Sequence, residues 1–451
     1  MQKTVILGSG ESGFGAALLA HKHGHRVFVS DAGKIKAEKK SVFLEKNIGF
    51  EEGQHSLNLL LDAQTVIKSP GIPFEAPIVV QLMAAGIAVI DELEFAHGFS
   101  KGKVIAITGT NGKTTTTLLI YHLMKSAGMD VGLGGNVGQS WALQLVEKDY
   151  SWWVLEVSSF QIEGFIDLKP TIAILLNITP DHLDRYQYKL EKYAAAKIKL
   201  TDNMVDGDHL IFHEADQNIL KGMKGMKGMK GKPNLIPIAL EKQTVTKGYI
   251  QNNKLHLGLT ETAWSWPTSE MVLHGEHNLM NSLAATLAAT LAGTPTEEIG
   301  PALKSFVNAA HRMEEVAVVK GIKFINDSKG TNVDATAFAL SAFQEPLIWI
   351  AGGVDKGNDY SLLDDKVIDH VKVLICLGKE NEKLKIAFSG KIPVILSTKD
   401  LREAVQWASD YGTRGDVALL SPACASFDLF NNYEDRGNQF KEAVIRLKDK
   451  N

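Results

Sequence analysis

Val104–Thr117 reads VIAITGTNGKTTTT: an apolar run of strand length, a glycine loop, a lysine and four threonines in succession. A loop of the form G-x-x-x-x-G-K-[ST] cradles phosphate with backbone N–H groups and meets the terminal oxygens with its lysine. Gly112, Lys113 and Thr114 fit that form. Ile107 stands where the first glycine belongs and Gly109 moves into the loop, so the motif is a variant, GTNGKT. It lies between a strand pattern and a helix pattern, the setting such a loop requires. Gly109, Thr110, Asn111, Gly112, Lys113, Thr114 and Thr115 are therefore expected to bind a nucleoside triphosphate, with Thr114 or Thr115 reaching Mg2+.

The chain around this loop has 451 residues, enough for about three domains. Its 45% hydrophobic and 22% charged residues are those of an ordinary globular protein. A net charge of -4 leaves no basic footprint for nucleic acid or an anionic membrane, and neither is expected as a partner. The opening MQKTVILGSG is too short in its apolar run for a secretory signal, and no stretch of about 18 apolar residues predicts a membrane span. A cytoplasmic monomer is the expectation. The two cysteines, Cys376 and Cys424, lack the spacing of a metal or redox pair and read as packing residues.

Short apolar runs alternate with helical patterns over most of the length, beginning with TVILG, GFGAALLAHKHG and HRVFVSD, as parallel βαβ units require. The pattern loosens between 205 and 272. There KGMKGMKGMKGK (221–232) reads as a solvated flexible loop, and GYIQNNKLHLGL as a hairpin turning at QNNK. After the alanine- and leucine-rich stretch HNLMNSLAATLAATLAG, two prolines and a change of pattern suggest a boundary near 294. The expected fold is α/β, with three domains in series: 1–93 and 294–451 Rossmann-like, and 94–293 a P-loop ATPase-type domain on a parallel sheet.

Three further clusters bear on chemistry. Gly8-Ser9-Gly10-Glu11-Ser12-Gly13 is a G-x-G-x-x-G after a strand, with Asp31 at the end of the next strand, where a ribose-binding acid sits. A nicotinamide dinucleotide and a UDP-linked substrate satisfy it equally. Glu156 in LEVSSFQ, His182 in NITPDHLDRY and Lys197 in YAAAKIK form the second. An isolated Glu or His is more often a satisfied structural residue, but carboxyl-rich strand ends downstream of a P-loop supply the oxygen ligands that Mg2+ on a triphosphate needs. The last cluster comprises HRMEEV (His311, Arg312), NDSKGTN (Asp327–Asn332), GGVDKGND (Lys356) and SPACASFDLFNNY. Each alone reads as a turn, and together they suggest a ligand-facing rim.

Taken together, GTNGKTTT, GGNVG, DHLDRY, GEHN, HR and NDSK resemble the Mur ligase family, ATP-dependent amide-bond-forming enzymes of peptidoglycan precursor synthesis. LEVSSFQ and SPACASFDLF resemble its D-glutamate-adding branch, and the resemblance spans nearly the whole chain. It implies ATP, UDP-N-acetylmuramoyl-L-alanine and D-glutamate as ligands, and the first domain as the UDP-substrate domain. Asn278 would then contact the adenine end, and Arg312 and Asp327 would bring the C-terminal domain onto the nucleotide. Thr114 and Glu156 would hold one Mg2+. His182 and Lys197 would serve a second, with Lys197 carrying a CO2-derived carbamate. Glu11, Ser12, Asp31 and Ser69 would bind the uridine diphosphate, and Asn136 and Ser158, with His182, the muramoyl-alanine arm. Lys329, Thr331, Lys356, Ser426 and Tyr433 would bind D-glutamate. The chain departs from the family at Gly330, where alanine is expected, at VNAA before His311, and at AGK after Asp31.

Lys113→Ala is expected to lower ATP turnover by about a hundredfold or more, the usual effect of removing a charge-stabilising donor. Unchanged steady-state turnover would take the loop out of the site.

Overall fold

The computed structural model describes residues 2–224, 230–243, 245–258, 264–368 and 370–449. Among these residues the strands form three sheets. The first is parallel: β1 (Lys3–Leu7), β2 (Arg26–Asp31), β3 (Gly49–Glu52), β4 (Thr65–Lys68) and β5 (Ala88–Asp91), in the order β3-β2-β1-β4-β5. The chain winds outward from β1 to β3 and returns to the other side of β1 at β4. The glycine loop after β1 and the Ser69 turn after β4 therefore flank the point where strand order reverses, the place where open α/β sheets bind ligands.

The second sheet comprises β6 (Lys103–Thr108), β7 (Val131–Gly135), β8 (Trp152–Glu156), β9 (Ile172–Leu175), β10 (His209–His213), β11 (Asn234–Ile238), β12 (Gly248–Gln251), β13 (Lys254–Leu257) and β14 (Trp264–Pro267). Its order is β14-β13-β12-β11-β10-β9-β6-β8-β7. Pairing is parallel from β7 to β12, and β12, β13 and β14 form an antiparallel meander. The expected hairpin is present, with Asn252 and Asn253 both at positive φ (51° and 54°), which a two-residue type I′ turn demands. Strand β6 alternates between faces: Ile105 and Ile107 pack with Leu119, Leu123, Leu283 and Leu287, while Val104 and Ala106 pack with Trp153 and Leu155.

Two expectations are corrected. Helix Gln217–Lys224 takes in the start of the lysine-glycine tract that reads as a loop, while residues 225–229 of that tract lie outside the described residues. The predicted boundary near 294 falls inside a compact unit that runs from Met1 to Phe306, ahead of a second, Val307–Asn451. Pro295 is the N-cap of helix Thr296–Ser305, whose Ile299 and Leu303 pack in the same core as Leu119 and Leu123. Gly300 lies flush on Trp266, where a Cβ would come within 2.2 Å of the ring. A proline-marked start of a helix had the look of a linker.

Within the first unit, residues 1–93 and the central sheet are joined at Ser140. Its Oγ donates to Glu92 Oε1 (2.8 Å), its N–H donates to Glu11 Oε1 (3.0 Å), and Ala142 N also donates to Glu92 (2.7 Å). The second unit holds the third sheet: β15 (Glu314–Val319), β16 (Ile322–Asn326), β17 (Leu347–Ala351), β18 (Val371–Leu377), β19 (Val394–Thr398) and β20 (Val417–Leu420), in the order β15-β16-β20-β17-β18-β19. Only the β15–β16 pair is antiparallel. Cys376 and Cys424 are buried and unbridged, as packing residues.

Burial raises the carboxyl of Glu92 from 4.5 to about 7, against the hydrogen bonds from Ala142 and Ser140. Between those two values the folded chain holds a proton that the unfolded chain releases, so the Glu92 contribution to stability falls as pH rises from about 4.5 to about 7. Urea midpoints measured across that range should decline less steeply in Glu92→Gln than in the natural chain. Equal slopes would contradict the shift.

Candidate active site

The loop after β6 sits between the ends of β8 and β9, and both neighbours grip it. On the β9 side, Asn177 accepts from Asn111 N through Oδ1 (2.8 Å) and donates to Asn111 O through Nδ2 (3.1 Å), while Thr110 N donates to Asn177 O (2.9 Å). Thr110 Oγ1 donates to Thr179 O (3.0 Å) and accepts from Thr179 N (3.0 Å). Gly112, at φ 84°, begins helix Lys113–Ser126 and faces Asn281 of helix Glu276–Leu291. A Cβ there would stand 2.2 Å from Asn281 Oδ1. Lys113 Nζ donates back to the carbonyls of Gly109 (2.9 Å) and Thr110 (2.8 Å), and Thr114 and Thr115 are buried along the first turn.

On the β8 side, Glu156 is paired in register with Ile107 and is buried, with Asn136 Nδ2 donating to its Oε1 (3.0 Å). Lys197, 1% exposed, donates from Nζ to the same Gly109 carbonyl that Lys113 uses (2.9 Å) and lies 4.4 Å from the Tyr193 ring centroid. Burial first, and then the charge of Lys113, holds its ammonium well below the usual lysine range, with Asp181 and Glu156 acting in the opposite sense. His182 occupies the left-handed region (φ 51°), edge-on to Phe160 with ring centroids 5.1 Å apart. Glu156, Lys197 and the P-loop are thus brought to one sheet edge. Among the described residues no three His, Cys, Asp or Glu side chains form a metal site by themselves. A magnesium ion here fits the pattern of one or two carboxylates plus substrate phosphates. Asn278 caps back onto His274 O (3.0 Å) and accepts from Asn281 (3.4 Å), one helical turn from the loop.

At the edge of the first sheet, Gly13 is obligatory: a Cβ would sit 1.9 Å from Gly8 O. Gly8 packs against Ser69. Asp31 Oδ2 accepts from Ser9 N and Oγ (both 2.6 Å), and Oδ1 accepts from Gly33 N (2.8 Å). Burial would raise its pKa, but these bonds prevail and hold it below the ordinary value. The expected ribose acid therefore also braces the glycine loop. Glu11 and Ser12 open helix Glu11–Lys22. Ser158, expected to position the substrate arm, caps helix Ser159–Ile162 in a reciprocal box with Gln161.

The remaining expected residues belong to the second unit. Asp327, after β16, accepts from Ser421 Oγ (2.9 Å) and Met313 N (3.3 Å). Burial lifts its carboxyl to about 6 against the pull of Arg312 and Ser421. Gly330 is explained by this contact, since a Cβ would come 2.5 Å from Asp327 Oδ2 and 2.8 Å from Ser421 Oγ. Lys329 Nζ lies 5.1 Å from the Tyr433 ring centroid, Thr331 N donates to Lys329 O, and Ser426 is buried in the loop after β20. Lys356 follows β17 in the neighbouring loop. Sequence reading misses Arg436, a buried guanidinium that donates to Ser328 Oγ (3.0 Å), Ser328 O (2.8 Å), Cys424 O (3.3 Å) and Gly352 O (3.4 Å). It fastens the loops that carry Lys329, Ser426 and Lys356. Asn177 and Asn281 are likewise missed, although Asn177 stands, visibly in sequence, at the polar end of an apolar strand.

Known proteins resemble this arrangement throughout. The Mur ligase middle domain matches residues 107–289, the MurD N-terminal domain residues 3–77, and the Mur ligase glutamate ligase domain residues 311–424. The UDP-N-acetylmuramoylalanine--D-glutamate ligase of Christiangramia forsetii is 46% identical over 446 residues, covering 99% of this chain and 100% of that protein. That of Bacteroides thetaiotaomicron is 45% identical over 449 residues, covering 99% and 100%. Among solved structures, the UDP-N-acetylmuramate-alanine ligase of Thermotoga maritima superposes with a TM-score of 0.61 at 17% identity, over 99% of this chain and 100% of that one. A pseudomurein peptide ligase of Methanothermus fervidus superposes with a TM-score of 0.62 at 18% identity, over 99% and 100%. These two show the fold.

Asn177→Ala removes the two hydrogen bonds that Asn177 makes to Asn111 N–H and C=O, each worth about 0.5–1.5 kcal/mol. Calorimetric titration with ATP should show affinity weakened by about tenfold or more. Undiminished affinity would mean that Asn177 does not shape the loop.

Proposed function

The chain belongs to the Mur ligase family, and from that premise we propose that it joins D-glutamate to UDP-N-acetylmuramoyl-L-alanine, consuming ATP. The observation that carries this reading is full-length identity of 44–46% to proteins named for that reaction, together with a P-loop flanked by Glu156 and Lys197. The γ-phosphate passes to the terminal carboxylate of the L-alanine arm, giving an acyl phosphate and ADP. The D-glutamate amine attacks the acyl carbon, and the tetrahedral intermediate expels inorganic phosphate as the amine loses its proton. A carboxylate oxygen leaves poorly and phosphate leaves well, which is why ATP is consumed.

The residues align the reactants and offset charge. Lys113 and the loop N–H groups hold the triphosphate, and Arg312 would offset the charge that develops on transfer. Asn278 takes the adenine end and Asp327 the nucleotide side of the second unit. Lys329, Thr331, Lys356, Ser426 and Tyr433 receive D-glutamate, the lysines and hydroxyls meeting its two carboxylates. Glu11, Ser12, Asp31 and Ser69 take the uridine diphosphate; Asn136, Ser158 and His182 take the sugar arm. Holding three reactants in near-attack geometry supplies roughly 7–11 kcal/mol. Thr114, Glu156, His182 and Lys197 would hold magnesium, two ions in all, which when bound offsets phosphate charge.

Lys197 suits a carbamate. A neutral amine, favoured by burial and by the charge of Lys113, adds to CO2 through nitrogen and releases a proton, turning a cation into an oxygen ligand. No helix among the described residues is long and apolar enough to cross a membrane. ATP and a nucleotide sugar as joint substrates point to the cytoplasm, and one chain supplies every proposed contact, so a monomer suffices.

Phosphate release from ATP in the presence of UDP-N-acetylmuramoyl-L-alanine should depend on D-glutamate and not on L-glutamate, L-alanine or meso-diaminopimelate. Release with a different amino acid alone would overturn the substrate. Lys197→Ala should fold and lose turnover by about a hundredfold or more, with partial recovery on adding short carboxylates at high Mg2+. Full activity in that variant would dismiss the carbamate.

A further inference from the structure

The sugar nucleotide of the functional reading has its two ends on two different sheets. Its diphosphate lies at the glycine loop after β1, and its L-alanine arm at Asn136, in the loop after β7. Its affinity therefore depends on how those two loops are spaced, and Ser140 joins them. Ser140 is 3% exposed, and its two donors go to two carboxylates of the first domain. Oγ donates to Glu92 Oε1 (2.8 Å), at the start of the helix after β5, and N donates to Glu11 Oε1 (3.0 Å), at the start of the helix after the glycine loop. The same buried Glu92 oxygen accepts from Ala142 N (2.7 Å), so it receives both ends of the turn 140–142. Gly15, one turn into helix Glu11–Lys22, leaves the notch that admits this turn: a Cβ there would come 2.2 Å from Ser140 Oγ and 2.8 Å from Leu143 N.

Between Ser140 and Asn136 the loop is fastened as well. Gln144 Nε2 donates to Leu133 O (2.7 Å) and Gln139 O (3.0 Å), closing the loop on itself. At its other end Asn136 N donates to Glu156 O (2.8 Å) and Asn136 Nδ2 to Glu156 Oε1 (3.0 Å). Gly135, at φ 92°, lies flush on Glu156, where a Cβ would stand 2.2 Å from its carbonyl oxygen. A segment held by hydrogen bonds at both ends passes a displacement of one end to the other. Asn136 is thus placed from two sides, by Glu156 of the central sheet and, through Ser140, by Glu92 and Glu11 of the first domain.

We propose that Ser140 is a positioning residue for the sugar nucleotide: held by Glu92 and Glu11, it sets the span between the diphosphate loop and Asn136, so that a ligand reaching across both finds them already spaced for it. A ligand that touches only one of the two loops does not sense the joint. The proposal deepens the functional reading above and rests on it, since that reading puts the diphosphate at Glu11 and the alanine arm at Asn136.

The test is calorimetric titration of the full chain with three ligands in turn: UDP, ATP and UDP-N-acetylmuramoyl-L-alanine. The natural chain should hold the whole sugar nucleotide more tightly than UDP. Ser140→Ala should weaken the sugar nucleotide by about tenfold, because the second contact no longer falls where the first one places it, and should leave UDP and ATP within about twofold. Glu92→Met removes the acceptor on the other side of the joint and should give the same pattern. Glu92→Gln keeps an acceptor oxygen at that position and should bind all three ligands within about twofold of the natural chain. Unchanged sugar-nucleotide affinity in Ser140→Ala, an equal loss for UDP, or a loss in Glu92→Gln as large as in Glu92→Met overturns the proposal. If Ser140→Ala fails to fold, Glu92→Met read against Glu92→Gln decides by the same outcomes. A natural chain that binds neither UDP nor the sugar nucleotide would bring down the functional reading, and the proposal with it.

Discussion

One carbonyl oxygen, that of Gly109, accepts from two lysines, Lys113 and Lys197, each at 2.9 Å. The arrangement depends on strand order. With β6 between β8 and β9, the P-loop meets Glu156 on one side and the Asn177–Asp181 segment on the other, and helix Leu190–Ile198 delivers Lys197 from beneath. Two ammonium groups on one acceptor repel, and a dry environment magnifies the repulsion. Burial, and after it the charge of Lys113, holds the Lys197 ammonium well below the usual lysine range.

The sequence shows local order well and long-range order poorly. Strand–loop–helix at residues 104–117 and the Asn252–Asn253 hairpin are legible because each follows from dihedral preference and hydrophobic period within a dozen residues. That β6 is flanked by β8 and β9 is not legible, since it rests on pairings between distant segments. Pro295 illustrates an ambiguity: a proline before a helix and a proline in a linker look alike until Ile299 and Leu303 are seen against Leu119 and Leu123.

The candidate site divides in the same way. Glycines, lysines and acids at strand ends draw attention because their chemistry is rare in ordinary turns, and GTNGKT, Glu156 and the C-terminal rim are read from that. Asn177, Asn281 and Arg436 carry no such mark, and their importance arises only from what the fold puts beside them. Ser158 is the opposite case. Its S-x-x-Q spacing is a capping signature visible in sequence, and the hydroxyl that the resemblance assigns to the substrate arm also caps its own helix. Gly330 shows how a departure from family expectation becomes intelligible: Asp327 and Ser421 close over the space that a methyl group would need.

Arg436 has a bearing on how such an enzyme can diversify. Binding loops at the ends of parallel strands commonly vary through insertion and deletion, because each loop is energetically its own affair. Here the loops after β16, β17 and β20 share one buried guanidinium. Lengthening any of them would withdraw a carbonyl and strand a charge in the interior. New amino-acid preferences in this lineage should therefore arise by exchange of side chains on loops of constant length, and loop length should mark descent more faithfully than residue identity does.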